Sequence, residues 1–449
     1  MNSSNLAIAL IKLVAVALDD KNEMVRLSAC HALENMGEKV ATSEVITKLV
    51  SALEDESEWV RRGACEALGE MGDKAATNEV ITKLVSVLED ESDRVRSSAC
   101  KVLAGMNETA ATNEVITKLI SALEDESDRV RSSACKALED IGKKAATNEV
   151  ITKLVSVLED KSSNVRDSAC NVLGSMNETV ATNEVVTKLV SALEDESQSV
   201  RYNACQALGN IGEKGATNEV ITKLVSVLED ESDSVREIAC EALGNIGEKA
   251  ATNEVITKLV SALEDESEWV RKRACEALGK IGEKAATNEV ITKLVNVRDD
   301  NGQLCLEAGI AIDSIFYSSD VMIGLGPALI SKLCVYGRQV KCWKNVSVDV
   351  LIRKFFDTQD VDWLLTAVEI TLQKRAAVSV NEDTLVVYDN GEPIKLRVPN
   401  SKLHNELIKA FTNKAKALHL CFGIPSNLET NISCIPAFGR SCFFFLRIC

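Results

Sequence analysis

Residues 1–315 contain no proline and no phenylalanine; all five prolines and all nine phenylalanines lie beyond that point. Without proline, nothing in the first two-thirds of the chain withholds a backbone donor from a helix. Long hydrophobic runs are missing too. No apolar stretch reaches the roughly 18–20 residues of a membrane span, so no membrane partner is expected. The segment LAIALIKLVAVAL comes nearest, but Lys12 interrupts it and no basic stretch precedes it. It reads as a first helix rather than a signal segment. Basic charge is scarce: residues 1–300 hold 54 acids against 35 bases, and 301–449 hold 14 against 16. So acidic a surface repels phosphate backbones, which makes nucleic acid a poor partner. No P-loop or dinucleotide glycine fingerprint is present, and no cofactor is expected. The Glu-Asp-Glu turns lack the spaced acids and glycine of a calcium loop, and no metal site is expected.

What fills the first two-thirds is repetition. ATSEVITKLVSALEDESEWVRRGACEALGEMGDKA (41–75) recurs from 76, 111, 146, 181, 216 and 251, decays from 286, and has a divergent copy over 2–40. A fixed period of this size means a stacked array in which each unit buries its apolar face on its neighbours. Within one unit, ATNEVITKLVSVLEDES reads as helix A. Thr77 is its N-cap, and Val80, Ile81, Leu84, Val85 and Leu88 share one face. After an acidic turn, Ser92 caps helix B, whose apolar positions Val95, Ala99, Val102, Leu103 and Met106 again fit a 3.6 period. Helix B always stops at glycine or asparagine: Gly37, Gly72, Asn107, Gly142, Asn177, Gly212, Gly247 and Gly282. Those residues tolerate the left-handed conformation that closes a helix. Asn107-Glu-Thr109 and Asn177-Glu-Thr179 match glycosylation sequons, but their place at helix ends marks them as coincidental.

Fifteen cysteines do not make a disulfide framework. Eight of them, from Cys30 to Cys275, recur 35 residues apart. Equivalent positions of stacked helices lie roughly 8–10 Å apart, beyond the ~7 Å that a disulfide spans. They read as small buried hydrophobes in A-C-x-x-L. Free thiols in this number fit a reducing, cytoplasmic location.

The pattern L-x-D…V-R-x-x-A-x-x-A-L, carried by Leu88, Asp90, Val95, Arg96, Ala99, Leu103 and their equivalents, resembles the HEAT family in its short, PBS-lyase-like form. The resemblance implies an all-α solenoid, an α–α superhelix of about nine two-helix repeats. It also implies a polar ladder of Asp55 with Arg61, Asp90 with Arg96, Asp125 with Arg131, Asp160 with Arg166, Asp195 with Arg201, Asp230 with Arg236, and Asp265 with Arg271. Some HEAT-like proteins are enzymes. Deoxyhypusine hydroxylase holds a di-iron centre with His-Glu pairs, and bilin lyases share the repeat. Here the array has one histidine, His31, followed by Ala32, and no His-Glu pair exists, so catalytic residues are expected to be none.

The copies differ from one another at few places. Helix A hardly varies, even at the outward positions Thr47, Lys48 and Ser51. Helix B varies at positions equivalent to 58, 59, 62, 63, 66 and 70. At about 100° per residue these fall on one face, opposite Val60, Ala64, Ala67, Leu68 and Met71. That face carries Trp59 and Arg62; Arg94; Arg129; Asn164; Tyr202 and Asn203; Ile238; and Trp269 with Lys272 and Arg273. Tryptophan, tyrosine and arginine are enriched at binding hot spots. The resemblance puts second helices on the concave side. The expectation is therefore a non-catalytic scaffold binding a protein or peptide along helix B, with a HEAT-type oxidoreductase or lyase as the alternative.

The array is expected over 1–319, its last repeat a degenerate cap in which Leu306 replaces the arginine and Ile310 the cysteine. Residues 320–420 read as a small α+β module. It has helices at VDVLIRKFF, DVDWLLTAVEITLQKR and SKLHNELIKAFTNKAKALHL, and a hairpin near 384–398 turning at Asn390-Gly391. Residues 421–449 read as an irregular or disordered tail.

Overall fold

The computed structural model describes residues 3–106, 111–297, 303–315 and 346–373, the strands within 379–397, and a few positions between 324 and 331. Its array is a run of paired helices. The pairs are α1 (Ser3–Ala17) and α2 (Glu23–Met36); α3 (Ser43–Ala52) and α4 (Glu58–Glu70); α5 (Asn78–Val87) and α6 (Asp93–Gly105); α7 (Asn113–Ala122) and α8 (Asp128–Ile141); and α9 (Asn148–Val157) and α10 (Ser163–Ser175). They continue as α11 (Asn183–Ala192) and α12 (Gln198–Ile211); α13 (Asn218–Val227) and α14 (Asp233–Ile246); α15 (Asn253–Ala262) and α16 (Glu268–Ile281); and α17 (Asn288–Asn296) and α18 (Gln303–Ile315). Odd helices are helix A, even ones helix B. The chain divides into two compact units, Met1–Ile246 and Gly247–Cys449, so the division falls inside the repeats. No helix among the described residues is long and apolar enough to cross a membrane.

The capping chemistry explains where each helix begins and ends. In every helix A from α3 onward, threonine in extended conformation accepts from the third helical amide, as Thr42 does from Val45 at 3.3 Å. Helix B is different. Its serine sits at the N-cap with extended φ and ψ, yet its side chain makes no capping bond. The upstream aspartate holds the turn instead: Asp55 Oδ1 accepts Ser57 N at 2.9 Å. At the other end Gly72, at φ +53°, and Asn177, at φ +52°, take the positive φ that glycine and asparagine were expected to supply. Asn107 lies outside the described residues. A single 3₁₀ turn then leads into the next helix A.

Helices B pack against helices B more closely than helices A against helices A. Small residues allow it. A Cβ added to Gly209 would stand 2.8 Å from Ala242 Cα, so only glycine lets α12 and α14 come together. Around this seam the repeated Val, Ala, Cys and Leu positions are sealed. Val95, Ala99, Cys100 and Leu103 are 0 % exposed, each large side chain contributing roughly 1.5–3 kcal/mol.

In the second unit, α19 (Val348–Thr358) and α20 (Val361–Gln373) pack together, and three antiparallel strands follow in the order β1 (Ser379–Val380), β2 (Thr384–Asp389), β3 (Glu392–Arg397). Asp389 pairs with Glu392, which leaves the two-residue connection that Asn390-Gly391 was read to make; those two residues, the helix expected at 401–420 and the tail at 421–449 lie outside the described residues. Strand β1 had no signal in the sequence reading.

Candidate protein-binding surface

The ladder of arginines and aspartates sits at the edge of the helix B face, and its wiring differs from the pairing read within each repeat. Arg61 does not reach the carboxylate of Asp55; its Nη1 donates to the Asp55 backbone oxygen at 2.9 Å. Its Nε and Nη2 go forward to Asp90 of the next repeat at 2.7 and 2.9 Å. The Asp55 carboxylate is taken from behind, by Arg26 at 2.6 and 2.8 Å. Arg96 to Asp125, Arg131 to Asp160, Arg166 to Asp195 and Arg201 to Asp230 repeat this fork at 2.7–2.9 Å. An aspartate six residues upstream is too close along the chain to offer both oxygens in the guanidinium plane, whereas one 29 residues on offers the bidentate geometry. Arg236 and Arg271 bond to the backbone oxygens of Asp230 and Asp265 in the same way, at 2.9 and 2.7 Å.

These pairs are almost dry, with side-chain exposure of 9 % for Arg96 and 12 % for Asp125. Hydrogen bonds to the carboxylates hold the Arg26, Arg61, Arg96, Arg131, Arg166 and Arg201 guanidiniums above their ordinary value. Burial pushes Asp55, Asp125, Asp160, Asp195 and Asp230 up, but the bonds from arginine and from the serine amide outweigh it and keep them below the usual carboxylate range.

A second ladder runs along helix A. Lys48 reaches Asp19, and Lys83, Lys153 and Lys188 reach Glu54, Glu124 and Glu159, each across a spacing of 29; Lys118 meets Glu89 at 2.5 Å. The sameness of helix A at Lys48 therefore has a structural cause. The signal was present in the sequence as lysine and glutamate invariant at the arginine–aspartate spacing.

The variable face of helix B splits in two. Trp59, Arg94, Arg129, Asn164 and Trp269 are exposed, the tryptophans at 44 % and 63 %. The Arg94 guanidinium lies 5.1 Å from the Trp59 ring centre, and Trp59 lines a pocket of about 280 Å³ with Glu23, Met24, Leu27 and Ser57. Arg62 is half-buried and bonds Glu66 at 2.8 Å. Lys272 and Arg273 are half-buried beside Glu307 at 3.5 Å and Glu276 at 2.9 Å.

Ile238 corrects the exposed-face reading, being 4 % exposed, and Tyr202 and Asn203 are half-buried. The cause is the close approach of neighbouring helices B, which turns the positions equivalent to 62 and 63 into the joint between repeats. Ser97 bonds Ser133 at 2.9 Å, Ser132 bonds Ser168 at 3.0 Å, and Asn203 donates to Asp167, each across 36 residues. The same two positions of the next joint hold Tyr202 and Ile238. Variation here is matched chemistry between neighbours. Burial raises the Asp167 carboxyl, and the bonds from Asn203 and Ser199 pull it back. Replacing Asn203 with leucine removes that donor and destabilises the array by about 1–3 kcal/mol. Urea unfolding of both single variants and the Asp167→Ala/Asn203→Leu pair is expected to show coupling of roughly 0.5–3 kcal/mol. Strictly additive losses would mean the two positions vary independently.

Among the described residues no group of three or more His, Cys, Asp or Glu side chains is placed to hold a metal ion, and His31 is exposed.

Comparison with known proteins agrees with this architecture. No curated protein matches the chain. A solved engineered protein from a structural-genomics programme aligns at 18 % identity and TM-score 0.49, over 82 % of this chain and 99 % of that one. A structure of Kap95p bound to RanGDP aligns at 16 % identity and TM-score 0.54, over 81 % of this chain and 52 % of that one. The chain thus spans about half the length of that structure's chain, and at this identity the likeness shows the fold: a solenoid of HEAT-type repeats. The family model described as the adaptin N terminal region matches residues 2–297. With paired helices, bidentate rungs and that match extending over most of its length, the chain belongs to the adaptin N-terminal region family of HEAT-repeat proteins.

Proposed function

We propose that the chain is a non-catalytic scaffold that binds a protein or peptide along the exposed edge of helix B. The array is taken to end at residue 319, with 320–420 as a separate module. One observation carries the reading. Once the joint between repeats accounts for the positions equivalent to 62 and 63, the variation left on the exposed edge includes the two large aromatic side chains Trp59 and Trp269. Exposed tryptophan has no structural use for the array and is the side chain most enriched at hot spots. Arg94, stacked on Trp59, and Arg129 add charge for an acidic or carboxylate-bearing partner. The closer packing of helices B supports placing this edge on the concave side. Eight free, buried cysteines support a cytoplasmic location.

The test is partner capture by the full chain, with the captured protein identified by mass spectrometry. Trp59→Ala plus Trp269→Ala is expected to weaken it by roughly tenfold or more per anchor, with the circular dichroism spectrum unchanged. Capture that survives both substitutions moves the binding site elsewhere. Stoichiometric iron in the purified protein would favour the HEAT-type enzyme instead.

A further inference from the structure

In an array with so large an excess of acid, an unpaired cation stands out. The arginines of the ladder and the lysines of helix A are held by carboxylates of neighbouring repeats. On the helix B edge Arg62, Lys272 and Arg273 are paired as well. Two adjacent helices differ. α6 and α8 share the segment SDRVRSSACK, at 92–101 and 127–136. Each presents two exposed cations seven residues apart, Arg94 with Lys101 and Arg129 with Lys136. Seven residues are almost two turns, so both members of a pair share one stripe, about 10 Å apart along the axis. Among the described residues no carboxylate forms an ion pair with any of the four. Asp93 and Asp128, beside the two arginines, accept Ser127 and Ser162 Oγ of the next repeat at 2.9 and 3.0 Å instead.

The two helices pack side by side, with Ser97 and Ser133 bonded between them at 2.9 Å. Stacked helices stand roughly 8–10 Å apart, so the four cations form a lattice with sides of roughly 10 Å. Trp59 occupies the position of Arg94 and Arg129 one repeat earlier, and Asn164 and Ser199 occupy it in the two repeats that follow. The Arg94 guanidinium lies over the Trp59 ring, which forms a pocket with Met24 and Leu27. Along the array this row therefore reads apolar, cation, cation, neutral, all within the unit Met1–Ile246.

We propose that this row selects an extended acidic peptide, with one apolar residue and two Asp or Glu residues spaced at intervals of three. The inference rests on the scaffold reading of the helix B edge and adds the partner's chemistry and register. An extended chain rises about 3.3 Å per residue, so three residues span one repeat. With the apolar side chain in the Trp59 pocket, the two carboxylates meet Arg94 and Arg129, whose guanidiniums match carboxylate geometry. Lys101 and Lys136 form a second row for acids on the peptide's other flank. The acidic remainder of the array repels such a segment everywhere else, which fixes the register. A nucleic acid fits less well, because its charge runs on over the exposed Glu70 and Asp140 on either side of the patch.

The probes are the fluorescein-labelled peptides Leu-Ser-Gly-Glu-Ser-Gly-Glu and Glu-Gly-Ser-Glu-Gly-Ser-Leu, one for each chain direction. They are titrated with the full chain at low salt and read by anisotropy. One of them is expected to saturate, and added salt to weaken it. Arg94→Glu with Arg129→Glu weakens that binding at least about tenfold. Lys39→Glu with Lys143→Glu, the same change in net charge away from the edge, leaves it unchanged. The inference is overturned if neither peptide saturates or if the two charge reversals act alike. It is equally overturned if a single-stranded oligonucleotide displaces the peptide, since phosphate would then own the cations. Capture that needs Trp59 and Trp269 while neither peptide binds sinks this inference and leaves the scaffold reading standing. Capture indifferent to both tryptophans sinks the scaffold reading, whereas the peptide titration answers for the cations alone.

Discussion

Asp125→Ala is expected to destabilise the array by about 3–5 kcal/mol, the usual cost of stranding a buried charge. Without Asp125, Arg96 keeps its Nη1 bonds to the Asp90 and Glu91 oxygens at 2.8 and 3.2 Å. Its Nε and Nη2 lose their acceptors inside a joint where water is scarce. The Ser127 amide loses its acceptor too, at 2.9 Å. Glu126 supplies the contrast: it lies 3.7 Å from the same guanidinium but is 90 % exposed, and Glu126→Ala should change stability by less than ~1 kcal/mol. Replacing both members, Arg96→Met with Asp125→Leu, should recover most of the loss, because nothing charged is left unpaired. Each form is unfolded in urea and followed by far-ultraviolet circular dichroism. Hydrogen exchange at α6 and α8 reads the same loss locally, which matters because stacked repeats need not unfold all at once. If the single variant loses no more than Glu126→Ala does, the rung is decoration.

The sequence disclosed what depends on a residue's own neighbours along the chain. The 3.6 period of Val80, Leu84 and Leu88, the threonine caps and the terminating glycines act within one helix or one turn. Each was readable because the physics is local. What escaped was contact between repeats. The arginine was paired with the nearest aspartate along the chain, six residues back, while the structure pairs it 29 residues forward. The helix B face was read as wholly exposed because helical geometry describes one helix and not the helix stacked on it. That is why Ile238 was placed on a binding surface and lies in a joint. Within a repeat protein the remedy is to compare positions across the period. Ser97 with Ser133 and Asp167 with Asn203 are complementary at a spacing of 36, and variation that is matched in this way belongs to assembly. Trp59 and Trp269 remain on the candidate surface because they stay exposed after the joint is accounted for.

The cysteine row leads to the second large effect. Cys100 is 0 % exposed and unbridged, and burial pushes its thiol from an ordinary 9.0 up to about 12. The same cause raises Cys30 to about 12 and lifts Cys65, Cys135, Cys170 and Cys205 as well. The thiolate is the reactive form, so at pH 8 alkylation of Cys100 by iodoacetamide should be about a thousandfold slower in the folded chain than in urea. Peptide mass spectrometry after timed labelling reads Cys100 separately from the cysteines beyond the array. The sign on stability follows from the raised folded value. The stability these groups contribute is complete below the unfolded value near 9.0 and is lost as pH rises toward about 12. Alkaline unfolding should therefore begin in that window, and labelling should rise with it. Fast labelling of Cys100 in the folded chain at pH 8 would show that the joints between repeats open on their own. Five further bidentate rungs and the glycine contact at Ala242 argue against such opening, because parting any of these joints breaks a buried ion pair and its packing together.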